Sequence, residues 1–232
     1  MIISHKHKFI FIKTRKTAGT ALEIALSAIC GPNDVITPLS GTDEDLRFEL
    51  SGKRAQNCQL PLSSLGLEEF LRWLKHGKRP RHVNHQSALL TRDRVGKKCW
   101  EDYFTFTVER DPLDKVVSHY QWLKMQKQCK SPEEYHQKKF YKKIQASALY
   151  ADRNGEILVD SVYIQCQLEK VTSSLAKKLN LPQSDFTLPP QRVKESKAVS
   201  QEELTALHML YQQHLKQEFA LEAGLLKDKM QK

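Results

Sequence analysis

The sequence predicts an α/β protein, and three stretches carry that prediction. Near the start, Lys8-Phe9-Ile10-Phe11-Ile12 is a run of β-branched and aromatic residues, followed by a polar turn and then by the apolar spacing Ala21, Leu22, Ile24, Ala25, Leu26 and Ile29. A β-forming run that gives way to a helical period reads as strand, loop, helix. In the middle, Asp102 to Glu109 alternates aromatic residues with threonine and runs directly into Arg110-Asp111-Pro112, a strand feeding a second helix. Further on, Ile157 to Ile164 reads as another core strand, with a helix over 169–180 after it.

Length and composition frame what those elements do. A chain of 232 residues supports one sizeable core, and no stretch of it reads as a linker between two, so one domain over 1–232 is expected. With 37 basic and 27 acidic residues the net charge is +10, which favours anionic partners in general: nucleic acid, anionic lipid, sulfated glycan or a polyphosphate nucleotide. No early apolar stretch is long enough for a signal peptide or a membrane span, which leads to the expectation of a soluble, cytoplasmic protein. The five cysteines (Cys30, Cys58, Cys99, Cys129, Cys166) are odd in number and contain no C-x-x-C pair, so they are read as reduced thiols.

Taken in order, Gly31-Pro32-Asn33-Asp34 stops the first helix near Cys30. Thr37 to Gln59 is polar and aperiodic, and is expected to be a loop, either a flap over a ligand or a surface excursion. Ser64 to Lys75 spaces Leu67, Phe70, Leu71 and Leu74 along one helical stripe, with Gly77 as its stop. A basic connector, Lys78-Arg79-Pro80-Arg81, then leads to His82 and His85. Two histidines three apart with no third ligand nearby do not make a metal site, and none is expected. Asp111 suits a helix N-cap and Pro112 the first helical position, which places Arg110 at the carboxyl end of its strand, the edge where open parallel sheets bind ligands. Ser118 follows about two turns into that helix.

Between Lys124 and Lys143, seven lysines are interleaved with Tyr135, Phe140 and Tyr141. That composition fits a solvated helix face better than a stacking surface for single-stranded nucleic acid, so no nucleic acid is expected. Ser131-Pro132-Glu133-Glu134 and Ser200 with Glu203 are capping boxes, the second opening a final helix to about Leu221.

The turn after the first strand, Arg15-Lys16-Thr17-Ala18-Gly19-Thr20-Ala21, is an anion cradle by construction. A helix N-terminus leaves N–H groups without intrahelical partners and carries partial positive charge, and Lys16 adds a further cation. Its lysine precedes the single glycine, so it lacks the G-x-x-x-x-G-K-[ST] order of an ordinary ATPase.

Lys16-Thr17-Ala18-Gly19-Thr20, Arg110-Asp111-Pro112 with Ser118, and His85-Gln86-Ser87-Ala88 between them together resemble the sulfotransferase family, in its bacterial and carbohydrate-type branch. The resemblance covers about residues 8 to 200 and is loose after Tyr150. It implies a P-loop-like, three-layer fold with a central, mainly parallel sheet flanked by helices. It implies 3′-phosphoadenosine 5′-phosphosulfate as sulfuryl donor, with no metal. By that resemblance the loop from Arg15 to Ala21 holds the 5′-phosphosulfate, Lys16 stabilises the leaving phosphate oxygen, and Arg110 and Ser118 hold the 3′-phosphate. His85 becomes the candidate general base toward a hydroxyl or amine of the acceptor, with His82, Asp102, Glu109 and Glu23 as the competing assignments.

The chain departs from the family pattern in two places. Arg15 stands where a proline is usual, and Ile164 to Glu169 lacks the usual arginine. Late phosphate contacts are expected from Arg192, Lys194 or Lys197. Two other classes compete with this reading: a P-loop-like nucleotide kinase or phosphotransferase, and a nonenzymatic basic module binding nucleic acid or anionic lipid.

Overall fold

The computed structural model describes residues 1–190 and 199–230. Arg192, Lys194 and Lys197 lie outside the described residues. The strands are β1 (Ile2–Ser4), β2 (Phe9–Ile12), β3 (Val35–Ile36), β4 (Phe104–Glu109) and β5 (Ser161–Ile164). The helices are α1 (Gly19–Ile29), α2 (Gly41–Ser51), α3 (Leu67–His76), α4 (Ala88–Val95), α5 (Lys97–Asp102), α6 (Pro112–Met125), α7 (Pro132–Gln137), α8 (Ser147–Tyr150), α9 (Leu168–Leu179), α10 (Gln201–Leu210) and α11 (Ala220–Met230). The five strands form one mixed sheet in the order β3-β1-β2-β4-β5. Its central β2, β4 and β5 are parallel, whereas β1 is antiparallel to both β2 and β3.

Both faces of the sheet are covered, which is why β2 reads as an unbroken apolar run rather than as alternation. Phe9 and Phe11 point to one face, where they pack with Phe106 and Val108 of β4, Leu22 and Leu26 of α1, and Val171 and Leu175 of α9. Ile10 and Ile12 point to the other, against Ala88 of α4, Tyr150 of α8, and Leu221 and Leu225 of α11. A third cluster joins Val116, Tyr120 and Leu123 of α6 to Tyr135, Tyr141, Leu207 and Phe219. Two of the aromatic residues interleaved with the lysines, Tyr135 and Tyr141, are therefore core residues and not a surface for stacking bases.

Local chemistry explains the element boundaries near the sheet edge. Asp111 caps α6 through Oδ1, which accepts the Asp114 N–H at 3.0 Å, and Pro112 occupies the first turn, where no intrahelical donor is required. Ser200 and Glu203 form a complete capping box at α10. At α7 only half of the expected box forms: Ser131 Oγ accepts the Glu134 N–H, but the Glu134 carboxylate takes the Lys130 N–H instead.

Several expectations are corrected. Residues 37–59 are not a loop throughout, because α2 occupies their centre and its Arg47 is wholly buried in an ion-pair network that no hydrophobic period announces. The strand expected from Ile157 starts at Ser161, with Ile157 joined only by an isolated bridge to Ala151. The segment ending at Asp102 is helical, so β4 starts at Phe104. The last helix does not stop near Leu221: a π turn over Tyr211–Leu215 and a short 3-10 turn over Gln217–Phe219 break it, and α11 carries on to Met230.

Candidate functional site

The parallel pairing of β2 with β4, in register Ile12↔Thr107, brings the segments after both strands to one edge of the sheet. The loop Lys13–Ala18 leaves β2 there, and Arg110 leaves β4 beside it. Two hydroxyls tie these segments together. Thr107 Oγ1 donates to the Ile12 carbonyl at 2.7 Å, and Thr14 Oγ1 donates to the Val108 carbonyl.

Lys16 and Ala18 adopt left-handed backbone (φ 62° and 57°) on either side of Thr17. Left-handed residues inside a turn aim neighbouring N–H groups into one concavity, an arrangement suited to anions. The α1 ladder begins with the amides of Ala21 and Leu22, both donating to the Ala18 carbonyl, so those of Gly19 and Thr20 precede it. Gly19 is required by close approach: a Cβ there would stand 2.9 Å from Cγ of Lys13. Thr17 contributes through its backbone, because its buried hydroxyl is engaged with Thr14 Oγ1 at 2.8 Å. Arg15 is exposed, and Lys16, Thr20 and Ala21 are half-buried at the mouth.

Lys13, buried behind the loop, is tied to Glu23 of α1 at 2.8 Å. Glu23 is also paired with the Met1 amine (2.9 Å) and with Arg47 of α2 (3.2 Å). Burial pushes its carboxyl up, but the three cations outweigh that and hold it below the usual carboxylate range. Glu109 is likewise engaged, with Lys115 at 2.8 Å in a fully buried pair. Asp102 lies at the opposite end of the sheet, before the first residue of β4 and about 20 Å from its carboxyl end at the usual strand rise. None of the three carboxylates is thus presented to the loop as a base.

The histidines are arranged differently. His85, held in left-handed backbone (φ 56°), places Nδ1 3.0 Å from the Lys13 carbonyl. A carbonyl only accepts, so Nδ1 carries the proton and Nε2 keeps its lone pair. Burial, and then the charges of Arg15 and Lys13, push the imidazole down to about 4, so it is neutral at pH 7. His82 is buried in its own turn, with Nδ1 3.3 Å from the Gln86 side-chain amide.

Arg110 and Ser118 are both half-buried on the β4–α6 unit. The Arg110 Nε makes no hydrogen bond, and its nearest carboxylate, Asp114, is 3.7 Å away. Sequence reasoning missed two neighbours on α6. Trp122 lies under the Lys16 ammonium, 5.9 Å from ring centre to Nζ, and His119 stacks on Trp122 at 6.0 Å. Burial, then Lys16, Lys143 and Arg15, push His119 down to about 4. Helical spacing held the missing signal, since Trp122 is four residues after Ser118 and so shares its face.

No protein-family profile matches the chain, and no solved structure matches it. A protein of Archaeoglobus fulgidus, described as uncharacterized, is 33% identical over 100 residues, which span 41% of this chain and 83% of the archaeal one. The two chains belong to one family. The description of that relative assigns the family no activity.

Proposed function

We propose that this protein is a sulfotransferase with a P-loop-like fold, moving a sulfuryl group from 3′-phosphoadenosine 5′-phosphosulfate to a hydroxyl or amine of an acceptor. The observation that carries the reading is the shared sheet edge. A left-handed loop with Lys16 opens helix α1 on one side, Arg110 and Ser118 emerge on the other, and His85 sits behind the loop with a free lone pair. Sulfuryl transfer resembles phosphoryl transfer in needing alignment and charge neutralisation more than covalent help from the protein. Burial, with the charges of Arg15 and Lys13 at His85 and of Lys16, Lys143 and Arg15 at His119, keeps both imidazoles neutral beside this cationic edge.

In this reading the backbone of Thr17 to Thr20 and the Lys16 ammonium hold the 5′-phosphosulfate. Arg110, whose Nε makes no hydrogen bond, takes the 3′-phosphate with Ser118. The acceptor oxygen or nitrogen attacks sulfur in line and its proton passes to Nε2 of His85. The bond from sulfur to the bridging oxygen breaks, and the electron pair stays on the 5′-phosphate oxygen, where Lys16 offsets the growing charge. Neutral His85 is ready to accept a proton at pH 7, and the anionic donor beside Arg15 and Lys13 makes it a stronger base.

Thermal unfolding with adenosine 3′,5′-bisphosphate and with ADP tests the donor site, because a ligand bound only to the folded state stabilises it by mass action. The bisphosphate is expected to raise Tm more than ADP does, and Arg110→Ala to remove the difference. Equal shifts for both nucleotides in the parent protein would refute the donor assignment. Transfer of labelled sulfate to an acceptor in a cell extract, lost in Lys16→Ala, tests the reaction itself.

A further inference from the structure

Helix α3 is turned the wrong way round for a helix that completes a core. Its spacing gathers Leu67, Phe70, Leu71 and Leu74 into one stripe about 100° wide, the pattern that ordinarily packs inward. Here that stripe faces solvent: Leu67 is 75% exposed, Leu74 61%, Leu71 54% and Phe70 37%, and no residue of the helix is buried. The side facing the protein carries Glu69, which pairs with Arg94 of α4 at 3.5 Å, and the half-buried Trp73.

The polar rim of the stripe is basic. Arg72 and Lys75 on the helix are followed by Lys78, Arg79 and Arg81, all but Arg79 exposed; Glu68 is the acidic residue of this surface that lacks an ion pair. An exposed helix with an outward apolar stripe and a basic border complements an anionic surface. Such helices lie in the plane of a membrane interface, leucine and phenylalanine inserted, lysine and arginine at the headgroups. Among the described residues no helix is long and apolar enough to cross a membrane.

We infer that α3 and the connector 78–81 form a docking site for an anionic lipid bilayer. This inference stands independently of the sulfuryl-transfer reading. Both leucines chosen for substitution are exposed, so the variants test the surface and leave the core intact.

The test is co-sedimentation of the full chain with vesicles of phosphatidylcholine alone and of phosphatidylcholine mixed with phosphatidylserine, with far-ultraviolet circular dichroism as the folding check. The expected result is binding to the mixed vesicles only, weakened by salt. The double variant Leu71→Ser, Leu74→Ser should lower the partition coefficient about tenfold or more. Lys75→Glu, Lys78→Glu and Arg81→Glu together, all at exposed positions, should lower it about a hundredfold. The inference is overturned if mixed vesicles bring down no protein, or if the leucine variant binds them as the parent does. It is equally overturned if ultracentrifugation shows a dimer that the leucine variant abolishes, which would make a second copy of the chain the occupant.

Discussion

The Nδ1 of His85 lies 3.0 Å from the backbone carbonyl of Lys13, so a residue seventy-two positions along the chain is anchored to the root of the loop that opens α1. That one bond sets the tautomer and leaves Nε2 as a proton acceptor. The left-handed backbone at His85 makes asparagine the substitution that best keeps this conformation, since asparagine tolerates it better than alanine. In the proposed reaction His85→Asn should lower kcat by about a hundredfold to ten-thousandfold. The nucleotide-induced rise in Tm should stay the same. Undiminished turnover in this variant would show that another group takes the proton.

The buried histidines also make stability depend on pH. His82, His85 and His119 are each pushed down to about 4 by burial and nearby cations. An unfolded histidine titrates near 6.5, so as the pH falls the unfolded chain takes up protons first. The stability they contribute is complete above about pH 6.5 and is lost as the pH falls toward 4, about 1 kcal/mol per histidine at pH 5.5. Urea unfolding at several pH values checks this. His85→Asn should show a smaller loss between pH 7.5 and 5.5 than the parent, and an identical loss in the two proteins would mean that His85 titrates normally when folded.

Arg47 links α2 to the back of the loop. It is fully buried, donates to the Thr37 carbonyl at 3.1 Å and pairs with Glu23 at 3.2 Å and Glu44 at 3.3 Å. Arg47→Met removes one of the cations around Glu23 and leaves the buried Thr37 carbonyl without its guanidinium donor, so it should cost about 3 kcal/mol in denaturant unfolding. Adding Glu23→Gln to that variant should cost further stability, because Lys13 then loses its buried partner, but less than the two single losses summed, since the Arg47–Glu23 contact is already gone. A strictly additive double variant would argue that the two side chains are not coupled.

Gly19 faces a steric limit in place of a conformational one. Gly19→Ala puts a methyl 2.9 Å from Cγ of Lys13, whose ammonium is fixed by Glu23, so the lysine stem has little room to give way. A loss of about 1–3 kcal/mol is expected, the range for overpacking a tight site, together with weaker anion binding as the loop shifts. An alanine variant as stable as the parent would show that Lys13 can move aside.

The parts of the fold legible from residue order alone are those whose information is local. The apolar run of β2, the alternation of β4, the cap at Asp111 with Pro112, and the turn that opens α1 are all written in neighbouring residues, because strand period, helix period and capping chemistry act over a few positions. The rest follows from long-range packing. The three residues of β1 are too few to show a period, yet they complete the sheet between β2 and β3. A polar stretch hides α2, which is held by the long-range pairing of Arg47 with Glu23. The parallel register Ile12↔Thr107 is what brings Arg110 to the loop and sends Asp102 to the far edge, and the fold turns the stripe of α3 outward. Pairing and facing depend on contacts between residues far apart in the chain, and a hydrophobic period states that a face is apolar without stating what it meets.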